Sequence, residues 1–106
     1  MSEKYYNKLV RDNIPTIIKE QGKKPIIEKI RNDKEYLEYL GKKLVEESKE
    51  YRESKQLEEL IDLMEIIHSI LNLEEIAFSE FERKRLTKKK ERGGFDKKIL
   101  LLKVIE

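Results

Sequence analysis

The chain has 106 residues, 43% of them charged and 38% hydrophobic, with a net charge of only +2 and no cysteine. That length holds one domain, expected over residues 1–106, and the missing cysteines exclude a disulfide framework and a thiolate zinc site. So balanced a charge does not mark a general nucleic-acid binder, and no apolar run approaches the roughly 20 residues of a membrane span.

Met1 to Asp12 lacks an apolar run followed by a small-residue cleavage site, so no signal peptide is expected and a cytoplasmic location is. The first predicted element is a short helix capped by Asn13 and running to Glu20, with Pro15 in its first turn and Gly22 stopping it. Pro25 opens Ile26-Ile27-Glu28-Lys29-Ile30, a short candidate strand. Asn32 with Glu35 reads as a capping box for a long helix to about Glu53. Ser54 is placed to cap a second long helix to about Leu71, making an antiparallel hairpin with the first. Asn72 with Glu75 predicts another capped helix, ending at Gly93-Gly94. Ile99 to Ile105 reads as a strand, expected to pair with residues 26–30 because lone strands are weak. The expected architecture is mainly all-α: a helical hairpin assembling into a four-helix-bundle-like oligomer, with one small β element. A chain this small buries a modest share of its surface, which favours assembly.

Charge is distributed unevenly. Glu46 to Glu65 carries eight acids against Lys49, Arg52 and Lys55, a local net of −5. Glu82 to Lys98 carries nine bases against Glu82, Glu91 and Asp96, a local net of +6. Such blocks fit either two solvated helix faces or a metal-plus-phosphate site.

Helical projection bears on the choice. At about 100° per residue, Tyr36, Leu37, Leu40, Leu44 and Tyr51 fall within about −20° to +80° of Glu47. Glu47 therefore interrupts an apolar stripe, with Glu50 at its border. On the next helix Glu59 falls among Leu63, Ile66 and Ile70, with Asp62 at the border. Two consecutive helices thus each place one acid inside the stripe and a second three residues later. Grouped buried carboxylates need a cation or protons, and an all-oxygen set suits Mg²⁺ or Mn²⁺. Glu46, Glu58 and Glu65 fall on the polar edges and read as solvated or supporting residues.

Lys43-Leu44-Val45-Glu46-Glu47-Ser48-Lys49-Glu50, followed by Glu58-Glu59-Leu60-Ile61-Asp62-Leu63, resembles the EExxE…ExxD signature of the all-α nucleoside triphosphate pyrophosphohydrolases. That superfamily includes the MazG-like proteins, dimeric dUTPases and phosphoribosyl-ATP pyrophosphohydrolase. Tyr6-Asn7-Lys8-Leu9-Val10-Arg11-Asp12 with Ile14-Pro15, and Arg92-Gly93-Gly94-Phe95, look like a compact MazG-like branch. The resemblance implies Mg²⁺-dependent cleavage between the α- and β-phosphates of a nucleotide, with Glu47, Glu50, Glu59 and Asp62 as metal ligands. It also implies a homodimer or tetramer of helical hairpins. Only eight residues separate Glu50 from Glu59; longer members carry substrate contacts there, so selectivity does not transfer. Phosphoribosyl-ATP remains an alternative substrate, and a non-catalytic helical binding or oligomerisation module an alternative function.

Glu47 or Glu50 is the expected water-activating carboxylate. Lys88 and Arg92 continue a stripe that begins with Ala77 and Phe81; they suit either a phosphate grip or a helix end that favours cations. Lys8 and Arg11, three residues apart, are further phosphate candidates. Gly93-Gly94 reads as a helix stop, and His68, opposite Glu59, as a packed or edge histidine without assigned chemistry. Tyr5, Tyr6 and Tyr51 read as packing residues.

Overall fold

The computed structural model describes residues 2–106. It holds four helices, α1 (Ile14–Glu20), α2 (Asp33–Ser54), α3 (Leu57–Leu73) and α4 (Phe78–Arg92), and no strand among the described residues. The all-helical expectation holds, whereas the expected pairing of residues 26–30 with 99–105 is absent. Ile26 is 84% and Ile105 87% exposed, so neither segment has the packed face that makes a two-stranded element stable in water.

The start of α2 follows its sequence. Asn32 is extended, and its side chain accepts a hydrogen bond from the Glu35 backbone N–H at 3.0 Å. Asp33 and Glu35 in the first turn suit the positive end of the helix. At the other end Lys55 takes the left-handed conformation, φ 59°, and reverses the chain within two residues. Ser54 does not cap α3 as expected, because the reversal at Lys55 leaves Ser54 inside α2. Its hydroxyl accepts instead from the Gln56 N–H across the turn, at 3.2 Å.

The junction of α3 and α4 also departs from the sequence reading. Asn72 lies inside α3, and Glu75 takes φ 57°. The Ile76 N–H bonds to the Leu71 carbonyl at 2.9 Å and the Glu75 N–H to the Asn72 carbonyl at 3.2 Å. These two bonds form a Schellman stop. The buried Leu71 and half-buried Ile76 favour that ending over a cap at Asn72, so α4 begins only at Phe78.

Packing is concentrated in one place. Among the described residues α2 and α3 are the only helices in extended contact, while α4 meets the end of α3 through Phe78, whose ring stacks on His68 at 4.5 Å. Among the described residues only Leu40, Ile66, Leu71 and Glu47 are buried. The radius of gyration is 18.6 Å, against about 13 Å for a compact domain of this length. The accessible surface is 10508 Å², against about 6,300 Å² for a compact monomer of this mass. The chain is therefore a tight hairpin with elongated, open flanks. No helix among the described residues is long and apolar enough to cross a membrane.

Candidate metal centre

Glu47 projects from the face of α2 that also carries Leu40, one heptad earlier, into the contact with α3. It is only 6% exposed, and its Oε2 is fully enclosed without a hydrogen-bond partner. Leaving a buried carboxylate oxygen unpaired costs several kcal/mol by order of magnitude. An acid therefore occupies one of the four buried positions at a cost that packing does not recover.

The neighbours of Glu47 deepen that cost. Carboxylate oxygens of Glu46, Glu47 and Glu50 lie within 4.8 Å of one another. The Glu47 carboxyl is pushed from the usual 4.5 up to about 7, first by burial, then by a hydrogen bond to Glu50, then by the charges of Glu50 and Asp62. Two ionised carboxylates this close repel one another, which favours the protonated form of Glu47. Lys43 pulls the other way, its Nζ 3.8 Å from Glu47 and 3.5 Å from Glu46.

Of the four expected ligands, Glu47 and Glu50 share one cluster, and Asp62 faces it from α3 closely enough to raise Glu47. Glu59 is not in the three-carboxylate group. It is half-buried, and its Oε2 accepts a hydrogen bond from the Ser54 hydroxyl at 3.0 Å. That hydroxyl, held over the α2–α3 turn, orients Glu59 toward the turn. Glu46, read from the sequence as an edge residue, joins the group. The signal was present, since Glu46 and Glu50 stand four apart and share a helix edge.

The basic candidates divide in two. Lys8 and Arg11 reach the acids: Lys8 Nζ lies 3.8 Å from Glu46, and Arg11 Nη2 donates to Asp62 Oδ1 at 2.6 Å. Lys88 and Arg92 do not share a cleft with them. They line an open groove on α4 together with Arg83, Lys84, Thr87 and Glu91, with no residue of α2 or α3 in its wall. α4 buries no residue, so nothing folds its basic end back over the hairpin.

An orphaned, enclosed carboxylate oxygen and three carboxylates converging from one helix, with a fourth acid opposite, form a donor set fitted to a hard divalent cation. Exposed acidic groups are common without an ion; the burial of Glu47 is what sets this group apart. Compared with known proteins, the chain matches no family model, no curated protein and no solved structure.

Proposed function

We propose that the chain is a Mg²⁺-dependent nucleotide pyrophosphohydrolase, cleaving between the α- and β-phosphates to release a nucleoside monophosphate and pyrophosphate. The observation that carries the reading is the enclosed, unpartnered Glu47 Oε2 within a group of converging carboxylates. The EExxE…ExxD resemblance supplies the reaction class. Glu47 and Glu50 from α2, with Asp62 from α3, would hold the ion, and Glu59 would join them by giving up its bond to Ser54. When bound, Mg²⁺ neutralises phosphate charge and acidifies a water. Glu50, on the exposed rim of the cluster, would orient the attacking water and accept its proton. Lys8 and Arg11 lie nearest the cluster and would meet the phosphates first. Lys88 and Arg92 would contribute only through another copy of the chain.

Assembly belongs to the same reading. The surface exposed beyond that of a compact monomer is on the order of 4,000 Å² per chain, more than the roughly 1,000–2,500 Å² per partner that an obligate dimer interface buries. Leu57, Leu60, Ile61 and Met64 of α3 are all 43–68% exposed. A homodimer or tetramer of hairpins covers them.

A second reading has an observation of its own. Arg11 pairs with Asp62, Lys8 with Glu46, and Lys43 with Glu46 and Glu47, as a non-catalytic helical module stabilised by ion pairs would require. A pyrophosphate-release screen separates the two. It would cover common and modified nucleoside triphosphates and phosphoribosyl-ATP, with and without Mg²⁺. Release from at least one nucleotide, dependent on the ion, is expected; no release from any would favour the module.

A further inference from the structure

The same ion pairs carry a further inference, which rests on the cation-binding reading above. We propose that the amino-terminal segment bearing Lys8 and Arg11 is an exchangeable counter-ion, paired with the acids while no cation is bound and released to phosphate once one is.

The geometry supports exchange. Arg11 meets Asp62 across 51 residues of sequence, and Lys8 meets Glu46, so one segment touches both helices of the hairpin at the cluster. All four side chains are 37–52% exposed, and pairs this exposed contribute about 0–1 kcal/mol each. They are strong enough to orient the segment and weak enough to yield to a divalent ion. Residues 2–13 have no regular secondary structure, and among them only Leu9 is half-buried. Lys8 and Arg11 can therefore change partner without dismantling the hairpin.

Charge counting gives the direction. Glu46, Glu47, Glu50 and Asp62 face Lys8, Arg11 and Lys43, which leaves the ionised cluster one positive charge short. A divalent ion offsets that deficit, and with Glu59 also drawn in the site is neutral while Lys8 and Arg11 are still beside it. Carboxylates that ligate the ion no longer hold those bases, which become free to meet an anion. Cation and phosphate binding become coupled through Lys8 and Arg11: the ion displaces the bases from carboxylates, and the freed bases meet phosphate oxygens.

Calorimetric titration of the full chain with Mn²⁺ tests this, in wild type and in Arg11→Gln and Arg11→Lys. Removing a competitor for Asp62 should tighten Mn²⁺ binding in Arg11→Gln by about two- to fivefold, the equivalent of a pair worth up to about 1 kcal/mol. Arg11→Lys should stay near wild type. In parallel, the Arg11 side-chain Nε–H resonance of the wild-type protein should move to a free-arginine position as Mg²⁺ saturates the site. If wild type binds Mn²⁺ but Arg11→Gln binds it equally or more weakly, the exchange is overturned and the metal site stands. An Arg11 resonance indifferent to saturating Mg²⁺ would also overturn it, whether or not the variants fold. If wild type binds no Mn²⁺, both the exchange and the metal reading fail.

Discussion

The α2–α3 hairpin and the region from α4 to the carboxy-terminus are both rich in charge but treat their apolar residues in opposite ways. The hairpin buries Leu40, Ile66 and Leu71 and sets an acid among them, whereas α4 buries nothing and Phe95 and Ile99 to Ile105 lie 68–96% exposed where apolar. The acids are therefore held by a packed element, and the bases of α4 by one that has no partner within the chain. Local charge density alone does not make a site. Packing turns the acidic block into one with an energetic demand, and its absence leaves the basic block a solvated helix.

The sharpest way to break this contrast is to neutralise the buried acid. Glu47→Gln should lower Mg²⁺-dependent pyrophosphate release at least 100-fold, the loss of a ligand and its charge. Retained turnover in a steady-state assay would detach the chemistry from the hairpin's core.

The next effect is on stability and its pH dependence. Glu47 has a folded pKa raised from 4.5 to about 7, so between those values the folded state holds more protons than the unfolded one. Its stabilising effect is complete below about pH 4.5 and is lost as pH rises to about 7. Denaturant unfolding of the cation-free protein should show a decline of about 3 kcal/mol across that window. In Glu47→Gln the decline should flatten, leaving the variant the more stable at pH 8. A pH profile unchanged by the substitution would contradict the burial cost assigned to Glu47.

Assembly comes third. Light scattering at micromolar concentration should give a dimer or tetramer, because the exposed apolar flanks of α3 and the tail exceed what a stable monomer leaves open. A monodisperse monomer would contradict the proposed covering of those faces. The smallest effect is expected at α4. Arg92→Ala should weaken turnover or substrate affinity by only a few-fold and leave Mn²⁺ affinity unchanged, since Arg92 lies in the open groove of α4. A loss as deep as that of Glu47→Gln would mean that α4 closes over the hairpin of another copy.

Much of the hairpin was legible in the sequence because its signals are local. Asn32 caps α2 at the predicted place, although among the described residues Glu35 returns only its backbone N–H and not the side-chain bond of a full capping box, and Glu47 interrupts the stripe of Leu40 as projected. Where two local rules compete, the reading failed. Asn72-x-x-Glu75 satisfies a capping pattern, yet the Leu71–Ile76 stop prevails because it keeps apolar groups covered. The site divides on the same principle. Glu47 and Glu50 are three apart on one helix and could be placed together, as Glu46 could have been. The capture of Glu59 by Ser54 depends on a left-handed turn at Lys55, which no residue type there announces. The pairing of Arg11 with Asp62 depends on how the amino-terminal segment crosses the hairpin, and nothing within 51 residues of sequence encodes it locally. Residues 26–30 and 99–105 have β-forming composition, but strand formation depends on a packed partner that the sequence does not reveal.

Thermal melting of wild type and Glu47→Gln at pH 8, each with and without a few millimolar Mg²⁺ or Mn²⁺, tests most directly whether the buried acid awaits a cation. A bound ion stabilises the fold by linkage, so wild type should melt several degrees higher with the ion. Glu47→Gln should melt above wild type without the ion and gain nothing from it. A wild-type transition indifferent to both ions, with Glu47→Gln melting lower, would contradict the account and identify the acids as partners of Lys8, Arg11 and Lys43 alone.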